Sequence, residues 1–392
     1  MVANMSKVNM KGMVISMDFE TICIHGNERN YDVVGAVPVP IFTSATFTHP
    51  GLGQEAEFEY SRLKNPTREH FECIVAALEG GKYGLAFSSG LAATSALMEL
   101  FSPGDHIVAA DDLYGGSHRL FTLISQKNGV CFTFADTAEK IISAIKPNTK
   151  AVFIETPSNP MMMVIDIAAV AKETKKRGIL LIVDNTFMTP YLQKPLELGA
   201  DIVLHSATKY LSGHHDVLAG VLVLSDDEIN ERLRTVSKTI GSVLSPFDSY
   251  LAIRGIKTLP IRMERHQETT KILAEWLKSR TEIKSVHYIG FENHPGYEIT
   301  CRQSSGFGGI LSFTMKDEET TKKLLEGIKI IKFAPSLGGV ESLLTYPMLQ
   351  THGDIPEEER LDRGINPCLV RLAVGLESAK DLIADISAAL CS

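Results

Sequence analysis

Seven short runs of β-branched and other apolar residues punctuate the middle of the chain, at 84–87, 106–109, 130–134, 151–155, 180–183, 202–204 and 220–224. The stretches between them repeat apolar residues at helical spacing, as in 165–177, where Ile167, Val170 and Ala171 share one face. Near-continuous apolar strands alternating with amphipathic helices predict an α/β fold with a mostly parallel, seven-stranded sheet covered on both faces. Right-handed crossovers then bring the C-terminal end of every strand to one edge, where such sheets bind ligands.

A chain of 392 residues has room for two or three domains. Residues 1–60, rich in Pro, Thr, Gly and Phe, read as an arm that contacts a neighbouring subunit. Residues 61–246 hold the sheet and form a large domain. Residues 247–392 form a smaller α+β domain, with a long helix over 247–280, a strand near 309–314 and a final helix from Ser378. The run Glu357-Glu358-Glu359-Arg360 follows a proline and reads as a solvated loop.

Composition narrows the function classes. Lys plus Arg number 39 against 47 Asp plus Glu, a net charge of −8, which argues against a nucleic-acid-binding surface. No apolar run reaches the length of a membrane span, and Met1 to Met17 lacks the apolar block of a secretory signal, so a cytoplasmic protein is expected. The six cysteines form no C-x-x-C pair and mostly sit in apolar runs such as Val130-Cys131-Phe132, which predicts reduced, buried thiols. His205, His214, His215 and Asp216 lack metal-ligand spacing, and no metal is expected.

Two strand ends carry the sharpest chemical signal. One apolar run ends in Asp184-Asn185-Thr186, the other in His205-Ser206-Ala207-Thr208-Lys209. On adjacent strands they present a carboxylate and an amine at one edge. A pyridoxal phosphate site needs both: a lysine to bond the cofactor aldehyde and a carboxylate to keep its ring nitrogen protonated. Taken singly, Asp184 also fits a helix cap and Lys209 an ordinary solvated side chain. Ser88-Ser89-Gly90-Leu91-Ala92 runs from a strand into a helix whose free N–H groups suit a phosphate, and equally suits a serine-capped turn. Arg62 can clamp a phosphate with Tyr60 donating to it, and Tyr114 can stack on a flat ring, although a surface loop and a core tyrosine are the plain alternatives.

Together these segments resemble the cystathionine γ-synthase, cystathionine γ-lyase and methionine γ-lyase family of pyridoxal phosphate enzymes. The matching text is Glu59-Tyr60-Ser61-Arg62 with Asn65-Pro66-Thr67, Ser88-Ser89-Gly90-Leu91-Ala92-Ala93, Tyr114-Gly115-Gly116, Glu155-Thr156-Pro157-Ser158-Asn159-Pro160, Val183-Asp184-Asn185-Thr186, Ser206-Ala207-Thr208-Lys209-Tyr210, Ser336-Leu337-Gly338-Gly339 and Arg371-Leu372-Ala373-Val374-Gly375-Leu376-Glu377. The resemblance implies an aspartate-aminotransferase-like fold (fold type I) and a homotetramer, a dimer of dimers with active sites shared between subunits. It implies Lys209 as the Schiff-base lysine and Asp184 as the partner of the pyridine nitrogen. Ser89, Gly90, Leu91, Ser206 and Thr208 would hold the phosphate, joined by Tyr60 and Arg62 from the neighbouring subunit. Tyr114 would stack on the ring and move a proton at the leaving group, and Asn159 would contact the ring hydroxyl. Arg371 would grip the substrate carboxylate with Ser336, and Glu59 and Arg119 would lie near the far end of the substrate.

Gly116 stands where typical methionine γ-lyases carry a cysteine, and Pro335 stands where many cystathionine enzymes place a glutamate. The segment Thr345-Tyr346-Pro347, Gln350-Thr351-His352, Asp354-Ile355-Pro356 looks like bacterial members that join an activated homoserine to cysteine or sulfide. The expectation is therefore γ-replacement, with a γ-lyase as the alternative.

Overall fold

Residues 7–10, 13–26, 35–353 and 356–391 are described by the computed structural model, with side chains from residue 17 onward. All seven apolar runs are strands: β1 Tyr83–Phe87, β2 His106–Ala110, β3 Cys131–Ala135, β4 Thr149–Glu155, β5 Leu180–Asp184, β6 Ile202–His205 and β7 Gly220–Leu224. They form one sheet in the order β1-β7-β6-β5-β4-β2-β3. Ile167, Val170 and Ala171 are buried on helix Ile167–Lys176, the face that the spacing predicts.

One strand departs from the expected orientation. β7 is antiparallel to both of its neighbours, β1 and β6, while β2 through β6 run parallel. Residues 206–219, which join β6 to β7, contain no helix to carry the chain across the sheet, so it turns back beside β6. The start of β7 therefore lies at the functional edge. There Gly220 approaches the Ser89 backbone so closely that a Cβ would fall 2.2 Å from Ser89 O and 2.6 Å from Ser89 C. We expect Gly220→Ala to cost at least about 1–3 kcal/mol, read as a lowered melting temperature; an unchanged melting temperature contradicts this packing.

A second sheet follows, with β8 Ile283–His287, β9 Ile310–Met315, β10 Lys332–Phe333, β11 Leu343–Thr345 and β12 Leu369–Ala373 in the order β8-β9-β12-β11-β10. Only the β10–β11 pair is parallel. One apolar cluster joins both sheets, with Val203 and Tyr210 packed among Met263, Ile310 and Ala373. That shared core fixes β12 relative to the tips of β5 and β6.

Three further expectations are corrected. The helix expected over 247–280 is two helices, Pro246–Ile256 and Leu259–Lys278. Pro260 has no N–H to continue the first, and Arg262 ties the break by donating to Gly255 O at 2.7 Å and Thr258 Oγ1 at 3.0 Å. The charged run is no loop but helix Glu357–Asp362, whose three glutamates occupy the first turn, where the helix dipole favours them. Only Cys23 is fully buried; Cys131, Cys301 and Cys391 are exposed, Cys131 opening the edge strand β3. Part of the arm also packs on its own chain: helix Phe19–His25 buries Ile22 and Cys23 in the same cluster as Phe71 and Ile74 of helix Pro66–Glu79. Asp354 and Ile355 lie outside the described residues.

Among the described residues no helix is long and apolar enough to cross a membrane, and no group of three or more His, Cys, Asp or Glu is arranged to hold a metal ion.

Candidate active site

The tips of β4 and β5 place Glu155 and Asp184 in direct register, and Asp184 pairs with Leu204 of β6, one residue before His205. Both carboxyls are buried. Burial pushes Asp184 above the ordinary range, opposed by two hydrogen bonds from Thr186 and by the charges of His205 and Lys209. Glu155 is raised further, first by burial and then by Asp184, although Tyr114 N–H donates to Glu155 Oε2 at 2.8 Å. Two buried carboxyls that resist each other's charge make a place that favours a cation.

Lys209 follows β6 by four residues and is partly buried. Its Nζ donates to Ser336 Oγ at 2.7 Å. Burial lowers its pKa to about 8, helped by the Arg371 charge and opposed by Asp184. Ser336 has φ +92°, the left-handed region that disfavours a side chain. The turn holds this conformation because Gly338, at φ +79°, lets the backbone come up against Lys209 and Tyr210, where a Cβ would meet Tyr210 N at 2.6 Å.

Arg371, on β12, reaches the same point from the second sheet. Its Nη1 donates to Asn159 Oδ1 at 2.6 Å, and its Nη2 to Ser336 O at 2.7 Å and Thr345 Oγ1 at 3.1 Å. The side chain is 1% exposed and its Nε has no hydrogen-bond partner among the described residues. Burial lowers its pKa to about 10. A buried guanidinium bonded only to neutral groups lacks the anion that burial of a charge calls for.

The third unpaired feature is the start of helix Gly90–Met98. Ser89 Oγ accepts from Ala92 N–H and Ser89 O from Ala93 N–H, leaving the Gly90 and Leu91 amides without an acceptor among the described residues. Ser206 packs on Gly90, with Ser206 Oγ 3.1 Å from the position of a Gly90 Cβ, and Ser206 N–H donates to Thr186 Oγ1 at 2.9 Å. Cationic, anionic and amide groups thus each lack a counterpart around one space. A pyridinium ring, a carboxylate and a phosphate supply the three, so the residues fit pyridoxal phosphate with an amino acid.

Not every expected group points there. The Thr208 hydroxyl bonds the Ala219 backbone in both directions, at 3.1 Å and 3.0 Å. Tyr114 is half exposed and its ring lies over Gly116. Arg62 donates to Lys238 O and lies over the Tyr60 ring at 5.5 Å, on an exposed arm with Glu59, whose Oε1 is 3.9 Å from His49 Nε2. Arg119 is exposed on helix Gly115–Arg119. The sequence reading did not single out Glu155 or Thr345 as site groups. For Glu155 a signal existed: Val152-Phe153-Ile154 ends in a carboxylate just as Ile182-Val183 does.

Comparisons with known proteins bear on the family of the chain. The family description "Cys/Met metabolism PLP-dependent enzyme" matches residues 20–391. A cystathionine gamma-lyase of Bacillus subtilis (strain 168) is 48% identical over 376 residues, 95% of this chain and 99% of that protein. A cystathionine gamma-synthase/O-acetylhomoserine (thiol)-lyase of the same organism is 48% identical over 379 residues, 96% of this chain and 97% of that protein. The solved structure of a cystathionine gamma-lyase from Lactobacillus plantarum complexed with L-serine superposes with a TM-score of 0.94 at 42% identity, covering 96% of this chain and 99% of that one. The architecture is that of fold type I. An amine beside a carboxyl at two strand tips, a buried arginine without an anion and a family match over nearly the whole chain lead to one conclusion: the chain belongs to the pyridoxal phosphate-dependent enzymes of cysteine and methionine metabolism.

Proposed function

We propose that this enzyme replaces the γ-substituent of an activated homoserine with cysteine or sulfide. The observation that carries the amino-acid reading is Arg371, a buried cation whose protein partners are all neutral. It binds the substrate α-carboxylate, with Asn159 and Ser336 orienting it. Pyridoxal phosphate, when bound, supplies an electron sink for negative charge at the substrate's α-carbon. Asp184 holds the ring nitrogen, and Gly90, Leu91, Ser89 and Ser206 hold the phosphate. Thr208 joins them by giving up its bond to Ala219. Lys209 takes the α-proton with an amine whose pKa burial lowers to about 8, so that a substantial fraction is neutral near that pH. Tyr114 covers the ring and moves a proton at the leaving group.

Tyr60 and Arg62, both exposed in their own chain, serve the phosphate of a neighbouring subunit in a cytoplasmic homotetramer, a dimer of dimers. Glu59 and Arg119 lie near the far end of that substrate. We keep 1–60 as the arm, 61–246 as the cofactor domain and 247–392 as the C-terminal domain.

Replacement needs room for a second substrate. What supports it is a cavity of about 620 Å³ lined by Thr208, Ser336 and His215 and by charges of both signs, Lys332, Asp216 and Glu341. An amino-acid thiol, itself a zwitterion, suits such a wall. Gly116 supports it against methionine γ-elimination: a Cβ there would fall 2.5 Å from Tyr114 Cε1, so a cysteine displaces that ring. Elimination from a thioether remains the second reading, favoured by the lyase names of close relatives. Incubation with O-acetylhomoserine plus cysteine, and separately with cystathionine, decides. Cystathionine as the faster product supports replacement; faster release of a 2-oxo acid from cystathionine overturns it.

A pH dependence follows from Lys209. Only its neutral amine attacks an aldehyde, so capture of pyridoxal phosphate by the cofactor-free protein speeds up as pH rises through about 8 and levels off above. Stopped-flow absorbance measures it, and a rate constant that does not change between about pH 6 and about pH 10 contradicts it.

A further inference from the structure

Behind the reacting groups lies a second polar cluster that the chemistry above does not use. Glu79 ends helix Pro66–Glu79 and is 0% exposed, as is Asn185, with His205 at 1%. Glu79 Oε1 accepts from Asn185 Nδ2 at 3.0 Å and lies 2.5 Å from His205 Nε2. Asn185 Nδ2 also donates to Gln193 O at 2.8 Å, and Gln193 Nε2 donates back to Asn185 Oδ1 at 2.9 Å. Glu79 Oε2 and His205 Nδ1 have no partner among the described residues. Apolar residues of equal size would be as stable or more so in such a place.

Its position supplies a reason. The β5–β6 ladder ends at the Asp184–Leu204 pair, and Asn185 N–H to Leu204 O at 2.9 Å is its last main-chain bond. Beyond that point side chains hold the two tips together. On one side Thr186 Oγ1 donates to Asp184 Oδ1 and accepts from Ser206 N–H. On the other, because successive residues alternate in direction, Asn185 and His205 converge on Glu79. Asn185 is bonded to Asp184 in sequence, and His205 to Ser206.

We propose that Glu79, His205 and Asn185 form a positioning triad that sets the spacing of Asp184 from Ser206 and Lys209, and thereby the alignment of the bound cofactor. This rests on the assignment of Asp184 and Lys209 made above. The triad also links the cofactor to the arm, since the helix that ends in Glu79 begins at Pro66, just after Tyr60 and Arg62.

The test compares Glu79→Ala with Glu79→Gln in the cofactor-loaded enzyme. Glutamine keeps an acceptor for both His205 and Asn185; alanine removes it. Glu79→Ala should lower kcat about 10²-fold, the size expected of a misplacement near 1 Å. KM should hold, while the cofactor's long-wave absorption band shifts in position and in its pH midpoint. Glu79→Gln should keep the wild-type band and kcat. If Glu79→Ala does not fold, Asn185→Ala carries the same test with the same expected band shift. A folded, loaded alanine variant with wild-type kcat and band overturns the proposal, as does Glu79→Gln behaving like Glu79→Ala. An active Lys209→Ala enzyme would bring down the underlying assignment instead; a silent Glu79→Ala beside an inactive Lys209→Ala brings down the triad alone.

Discussion

Lys209→Ala should fold, and should lose both its yellow long-wave absorption with pyridoxal phosphate and at least about 10³-fold in turnover. The loss is large because one side chain serves two functions: covalent attachment of the cofactor and transfer of the α-proton. The fold should tolerate the change. Lys209 makes one side-chain hydrogen bond, to Ser336, and its amine sits where burial already opposes its charge. Removing a group that is costly to bury and singly bonded leaves little to destabilise. Absorbance and steady-state rates measured on the same preparation check both halves. An undiminished rate in this variant contradicts the assignment outright.

Arg371→Met should have the second largest effect, and it should appear in substrate capture. Hydrogen bonds to a charged partner are worth about 1.5–3 kcal/mol each, so losing two from a substrate carboxylate raises KM by about 10²–10⁴-fold. Stability should move far less. The guanidinium is fully buried with no acidic residue bonded to it, so its removal relieves a desolvation cost. Against that stand the lost bonds to Asn159, Ser336 and Thr345. The expected signature is a collapse of kcat/KM at nearly constant melting temperature. A large drop in melting temperature with an unchanged KM would make Arg371 a structural residue and remove the main support for an amino-acid substrate.

The two strand tips were legible because a parallel sheet writes itself as uninterrupted apolar runs, and the first polar residue after such a run stands at the ligand edge. Asp184, His205 and Glu155 announce themselves in that way, and Lys209 follows four residues after His205 on the same edge. β7 was misread in direction because an apolar run has no polarity of its own; orientation is set by whether a helix intervenes, and 206–219 has none. Arg371 was legible only through the resemblance. Within Leu369–Ala373 it is a single charged residue in an apolar strand, and its meeting with Asn159 spans 212 positions of sequence. The pairing of Glu79 with His205 was invisible for the same reason: His205 stood out at a strand end, but its partner lies 126 residues away and belongs to no pattern that spacing can detect. The charged run at 357–360 shows the opposite error: its polarity suggests a solvated loop, although glutamates after a proline are what a helix start favours.

The claim on which the rest depends is that Lys209 is the residue bonded to the cofactor. Borohydride reduction of the pyridoxal phosphate-loaded protein makes that bond permanent, and peptide mass spectrometry then locates it. The account predicts a single phosphopyridoxyl group, on Lys209; the same group on a different lysine, or none on a protein that turns over, contradicts it.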